Sequence, residues 1–309
     1  MIAASASRPP LLPWQIEFGA AASIAAGAGL RLPLPLLGGG AERIFGAVAA
    51  AGEADGFQLF TAGQLLLGYA IQPLAGDMAA ASRELYRRLL RAAGDRFLYR
   101  IWNYVPAINA AVAGVENYRA FSAGRSLAFE EACGPDFPVV LPAASAVGCG
   151  GNALAVIFAA GATAPRHFEN PEQVPAYRYP REHGPRSPSF SRATAAASGG
   201  RPLVFISGTA AIKGHGTVAP ERLDAQLDCT LDNLRLVSES AGLGPDLAAS
   251  RGLKRHFKVY LRRVEDLAAA KTRLEGALFG AADRVTWLQA DLCRGALLVE
   301  IEATLVAPS

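Results

Sequence analysis

Two stretches of this chain run through the same order of elements, and that duplication limits the folds open to it more than any other feature. In the first, residues 63–71 form an apolar run of strand length. A segment follows in which Met78, Ala81, Leu85, Leu89 and Ala92 recur at helical spacing, with Glu84, Arg87, Arg88 and Arg91 outside the stripe. Asp77 stands where an N-cap belongs and Gly94 where a helix stops. Residues 96–105, rich in aromatics, read as a second strand ended by Pro106. Residues 116–133 read as a second helix, and residues 141–148 and 152–160 as two strands split by a glycine turn. After Gly200 the order returns, beginning with a strand over residues 201–208. Pro220 and Glu221 then open a helix that carries Leu223, Leu227, Leu231, Leu234 and Val237 on one face and ends at Ala241-Gly242. Residues 253–261 read as a strand, 264–279 as a helix, and 284–293 and 296–306 as two closing strands. Both halves are β-α-β-α-β-β, as a duplication of ~100 residues per copy would give.

Each helix must cover its apolar stripe with a sheet, so the expected class is α+β: two fused β-α-β-α-β-β units, each a mixed sheet under two helices. The free sheet faces of two such units can press together and leave a cleft where they meet. The expected division is an N-terminal unit over residues 1–160, a crossing segment over 161–200 and a C-terminal unit over 201–309. Residues 1–50 show neither period and are expected to be strands and loops; residues 193–200 are expected to be flexible.

The crossing segment has its own character. From Arg178 to Arg192 it crowds four arginines, three prolines and a tyrosine into fifteen residues. Proline fixes φ and removes a donor, so this is a stiffened, extended track and not helix or sheet core. Guanidinium forks on such a track suit a small molecule with two carboxylates; a solvated basic linker is the alternative.

Composition narrows the function. With 51% hydrophobic and 18% charged residues the chain belongs among globular proteins and not disordered ones. A net charge of +3 with acids and bases interspersed argues against a nucleic-acid partner. The apolar start has only Arg8 ahead of it and is broken by Pro9, Pro10, Pro13, Pro33 and Pro35, so neither a signal peptide nor a membrane span is expected. Cys133, Cys149, Cys229 and Cys293 are far apart, which suggests neither a zinc site nor a disulfide framework and fits a reducing cytoplasm. His167, His183, His215 and His256 are dispersed and argue against metal ligation. The glycine-rich run from Gly148 to Ala153 leads into a strand, so it offers a pyrophosphate no helix N-terminus. No G-x-S-x-G elbow or P-loop lysine is present.

The two copies differ where it matters. Aligning their last hairpins on Cys149 and Cys293 sets Val156 against Glu300. Glu300 and Glu302 alternate with apolar neighbours and so share a sheet face. On a face turned to a buried inter-sheet space, desolvation would raise a glutamate's pKa and equip it as a general acid; on a wet face it would be an ordinary carboxylate.

The second copy resembles the YjgF/RidA family through Phe205-Ile206-Ser207-Gly208, Gln226, Asp232-Asn233-Leu234, Ala241-Gly242, Val259-Tyr260-Leu261 and Val299 to Ala303. With the first copy and the crossing segment, nearly the whole chain resembles the chorismatases. The words that carry this are Arg100 to Asn109, Asn117-Tyr118-Arg119 through Gly124-Arg125, Pro175 to Pro180 and Gly184 to Arg192. The resemblance implies cleavage of chorismate to pyruvate and a cyclic product, with no metal or organic cofactor. It implies Glu300 as the acid that protonates the enol ether, and Arg125, Arg192 and Arg186 as holders of the carboxylates. Tyr118, Tyr179 and Ser189 would supply hydroxyls along the substrate. One branch of the family adds water and releases a dihydroxycyclohexadiene carboxylate. The other displaces the side chain internally, through an arene oxide, and gives 3-hydroxybenzoate. Cys293, seven residues before the acid, and Gly208 resemble the second branch. A RidA-like imine hydrolase or binding protein is the alternative from another class. The assembly expected is a monomer or small homo-oligomer, away from membranes.

Overall fold

The computed structural model describes residues 10–19, 23–25 and 27–308. Of the apolar start, residues 1–9, 20–22 and 26 lie outside the described range, and the described part holds four strands: β1 (Leu11–Phe18), β2 (Ser23–Ala25), β3 (Ala28–Leu32) and β4 (Leu36–Gly38). The first copy then runs β5 (Ala47–Ala54), β6 (Phe57–Ala62), β7 (Leu65–Pro73), α1 (Met78–Ala93), β8 (Phe97–Pro106) and a short hairpin, β9 (Ala111–Val112) with β10 (Val115–Glu116). It closes with α2 (Asn117–Cys133), β11 (Ala143–Cys149) and β12 (Ala153–Gly161). The crossing segment contributes β13 (Arg166–Phe168) and β14 (Ala193–Ser198). The second copy follows as β15 (Arg201–Ala210), β16 (Ile212–Lys213), β17 (Gly216–Thr217), α3 (Leu223–Ser240), β18 (Lys254–Leu261), α4 (Leu267–Glu275), β19 (Arg284–Gln289) and β20 (Val299–Val306).

The duplication is visible in the pairing. One sheet holds the order β11-β8-β12-β7 and the other β19-β18-β20-β15, with the outer pair parallel and the other pairs antiparallel in each. The first sheet is extended to nine strands by β6, β5, β1, β3 and β2, and the second to seven by β14 and β13 at one edge and β4 at the other.

Apolar alternation divides the interior into three cores. Leu85 and Leu89 of α1 and Phe121 and Phe129 of α2 cover Ile101, Val156 and Phe158. Leu227, Leu234 and Val237 of α3 cover Ile206, Val259 and Ile301. Between the sheets lie Tyr69, Trp102, Tyr104 and Ile157 against Phe205, Tyr260 and Leu288, with the Trp102 and Phe205 rings meeting edge to face at 5.9 Å. Helix, sheet, sheet and helix thus stack as four layers.

Local chemistry fixes the elements. The Asp77 side chain accepts from the Ala79 backbone at 2.9 Å at the start of α1, and Gly94 closes it at φ +60°. Helices α1 and α2 touch at Gly124, where an added Cβ would overlap the Ala79 carbonyl and Ser82 Oγ, so only glycine allows this approach. The Ser82 hydroxyl donates to the Phe121 carbonyl at 3.1 Å across the same contact.

Four expectations need correction. Residues 193–198 are strand and not a loose linker: their small side chains carry no strong strand signal, but the edge of β15 pairs them into β14, with Gly199 and Gly200 as the turn between. The helix expected over 264–279 is a single turn, Val264–Asp266, followed by α4. Strand β19 ends at Gln289 and β20 starts at Val299, so Cys293 sits in the loop between them. The copies also align one residue away from the hairpin alignment. Ala155 pairs with Tyr104 as Glu300 pairs with Tyr260, which makes Ala155 the counterpart of Glu300. Val156 faces the helices, and a one-residue slip changes the face.

Candidate active site

Strand β20 delivers two carboxylates into the inter-sheet layer. Glu300 and Glu302 are 3% and 2% exposed, while Val299, Ile301 and Ala303 between and beside them face α3 and α4. The wet-face alternative is thereby excluded. Glu302 accepts from Arg100 at 2.7 Å, from the Trp102 indole at 2.9 Å, and from Lys258 at 2.8 Å. Lys258 also pairs with Glu42 at 2.7 Å. The two cations Arg100 and Lys258 therefore answer Glu302 and Glu42, and neither pairs with Glu300. Burial and the neighbouring Glu302 push the Glu300 carboxyl up to about 8, against weaker pulls from Arg100 and Arg192. At neutral pH it is a carboxylic acid. Glu302, despite the same burial, is held below the ordinary carboxylate value by Lys258 and Arg100.

Gly208 makes room for that acid. The β15–β20 register shifts between Ile206 and Thr209, and a Cβ on Gly208 would overlap the Glu300 carboxyl group. Both residues line a cavity of about 500 Å³, of a size to hold a small molecule. Its wall comes from α2 (Tyr118, Arg125), β11 (Ala144, Ser145), the crossing segment (Tyr179, Pro188, Phe190, Arg192), the β16–β17 turn and the loop before β20 (Cys293, Arg294).

The structure brings most of the expected residues together here. Arg125 is buried, lies 5.3 Å from the Tyr86 ring and donates to the Ser189 carbonyl. Arg192 is buried, lies 5.0 Å from the Phe190 ring and donates to the Tyr179 hydroxyl at 2.9 Å. In both, the Nε is a buried donor with no partner among the described residues. Burial, with Cys293 beside it, raises the Tyr118 phenol far above its usual value. Burial and the neighbouring Glu300 push the Cys293 thiol up to about 12, so it stays protonated. Ser189 is buried with an unpartnered hydroxyl and does not line the cavity; its carbonyl, holding Arg125, is its visible contact. Arg186 belongs elsewhere: it donates to Ser126 at 3.0 Å and pairs with Glu130 at 2.7 Å beside a neighbouring pocket. Two of its guanidinium nitrogens are thus engaged, and it does not line the cavity that holds Glu300.

Sequence reasoning missed several participants. Arg294 reaches over the Tyr179 ring at 5.5 Å and donates to the His215 carbonyl at 2.8 Å. Gln226 on α3 accepts from the Leu298 backbone at 2.8 Å and donates to the carbonyls of Ala296 at 2.8 Å and Ala219 at 3.1 Å, which fixes the loop that carries Cys293 toward Glu300. Gln226 had a signal, as part of the family word on that helix. Arg100 likewise stands in a family word, whereas its network partners Lys258 and Glu42 had no signal. His183 and His215, expected to be dispersed, meet at the cavity mouth with 2.9 Å between ring nitrogens.

Comparison with known proteins follows this geometry. A family model described as chorismatase FkbO/Hyg5-like, N-terminal, matches residues 45–160. A 3-hydroxybenzoate synthase of Streptomyces hygroscopicus is 38% identical over 82% of this chain and 78% of its own length. A chorismatase of Streptomyces rapamycinicus is 37% identical over 81% and 77%. The chain belongs to the chorismatase family. A crystal structure of a chorismatase, 30% identical, superposes with a TM-score of 0.80 over 97% of this chain and 95% of that one. The four-layer fold is therefore the chorismatase fold throughout. Among the described residues, no helix is long and apolar enough to cross a membrane.

Proposed function

We propose that this chorismatase cleaves chorismate to pyruvate and 3-hydroxybenzoate, with Glu300 as the general acid. The observation that carries the reading is a carboxyl group, neutral at pH 7, that faces a cavity lined by Arg125, Arg192 and Arg294. Chorismate has two carboxylates and an enol ether. The unpartnered Nε donors of Arg125 and Arg192 are unmet hydrogen-bonding capacity of the kind a bound carboxylate satisfies. Held so, the enol-ether methylene takes the proton from Glu300, and the side chain becomes oxocarbenium-like. The ring hydroxyl then displaces it, its proton replacing the one Glu300 gave up, pyruvate leaves, and the resulting arene oxide opens, with loss of a ring-carbon proton and gain of one on oxygen, to 3-hydroxybenzoate. The atoms of chorismate divide between the two products and no water is consumed. Cys293 contributes a neutral, space-filling S–H beside the acid, and a loop tethered by Gln226 keeps it there.

Mixing the protein with chorismate and separating the products tests this. Equimolar pyruvate and 3-hydroxybenzoate are expected. A dihydroxycyclohexadiene carboxylate in place of the aromatic acid would move the chain to the hydrolytic branch, and no pyruvate at all would end the reading.

A further inference from the structure

We infer that Glu182, His183 and His215 form a binding site for a divalent transition ion of the zinc class at the mouth of the cavity. Their donor atoms converge: His183 Nε2 lies 2.9 Å from His215 Nδ1 and 3.4 Å from Glu182 Oε1, and His215 Nδ1 lies 3.3 Å from the same oxygen. A tetrahedral ion with bonds of ~2.0–2.1 Å to nitrogen and oxygen needs ligand atoms ~3.3 Å apart, which is the spacing seen. The circle through the three atoms has a radius of ~1.9 Å, so an ion at bonding distance from all of them sits just off their plane. Three electron-pair donors around one point share only one short hydrogen bond, that between the two rings.

The ligands are held by the fold and not by one flexible loop. His183 ends a single helical turn, Arg181–His183, between Pro180 and Gly184. His215 sits at the tip of the β16–β17 hairpin, which is bound to the crossing segment by paired backbone hydrogen bonds between Gly214 and residues 172 and 174. Arg294 holds the His215 carbonyl from the other side. All three residues line the same cavity as Glu300, so a water or an anionic group in that space is within reach as a fourth ligand.

Metal-stripped protein, titrated with Zn²⁺ in competition with a chromophoric chelator, gives a readout independent of any reaction. One tight zinc per chain is expected. His183→Ala and His215→Ala are each expected to weaken it at least ~10-fold, because even outer-shell changes cost 10–100-fold in metal affinity. Cys293→Ala should leave binding unchanged. Co²⁺ added to the unsubstituted chain is expected to give the visible absorption of a four-coordinate site, which tests the geometry without any substitution. Absence of zinc binding, binding unchanged in both histidine variants, or a six-coordinate cobalt spectrum would overturn the assignment.

Discussion

Gly208 is the position where the site tolerates least. Because a methyl there collides with the Glu300 carboxyl group, Gly208→Ala has to displace the acid or bend β15. Overpacking of this kind costs ~1–3 kcal/mol, and moving the acid forfeits much of the ~10²–10⁴ that proton transfer contributes. Denaturant unfolding and pyruvate release measured on the same variant check both; unchanged turnover would mean that the acid is not where we place it. Cys293 has a different part. Its thiol, at about 12, is neither nucleophile nor base at neutral pH, which narrows its role to occupying space and offering a weak donor. Cys293→Ala should therefore still release pyruvate, with 3-hydroxybenzoate falling and the dihydroxycyclohexadiene acid rising as water takes the vacated volume. An unchanged product ratio on chromatography would remove Cys293 from the chemistry. At this scale the residues that carry a family word, such as Glu300, Arg125 and Arg192, meet at one cavity as the sequence led us to expect, and their roles rest on the proposed function. The sequence was silent on Lys258 and Glu42, whose partners lie far along the chain, it gave Arg100 a place in a family word but no partner, and nothing in a linear Arg/Pro track tells that Glu130 pairs with Arg186.

Elements were legible in proportion to how locally they are specified. Helix α1 could be bounded from Asp77 and Gly94 because its caps and stripe are its own. Strands β3 and β14 could not, since Ala- and Gly-rich stretches become strands only when a neighbouring edge pairs with them. Register was the hardest quantity: two hairpins that align on cysteine in sequence align one residue apart in space, and the face of Val156 changes with it. Helix α3 shows how an element reaches the chemistry without touching it. Gln226 is fully buried and holds three backbone groups, two of them in the loop between Cys293 and Glu300. In Gln226→Ala those groups lose their partner, at ~1–3 kcal/mol for each buried group left unsatisfied. The expected outcome is a lower melting temperature together with a shifted ratio of aromatic to hydrolytic product. A purely structural role would lower the melting temperature and leave the ratio alone.

The acid itself is a property of the whole molecule. Neither copy alone would desolvate Glu300; the pressing together of two sheets does so, while Arg100 and Lys258 spend their charge on Glu302 and Glu42. Glu302→Gln removes the nearest negative charge and frees two cations, both of which favour ionised Glu300. The alkaline limb of the pH–rate profile should move to lower pH. Stability should drop by ~3–5 kcal/mol, as it does when a buried pair loses one partner. A limb that stays in place would separate Glu302 from the tuning of the acid. Stability carries the same signature in the parent chain. Glu300 binds its proton more tightly folded than unfolded, so its favourable contribution is complete below the ordinary carboxylate range and is lost as pH rises to about 8. The most direct test of the account is the pH dependence of kcat/KM for pyruvate release from chorismate, in the parent chain and in Glu300→Gln. We predict a parent profile that falls above pH about 8 through one group, and a variant that folds normally, is slower by ~10²–10⁴ and lacks that limb. A variant that keeps more than about a tenth of the activity, with the same limb, would contradict it.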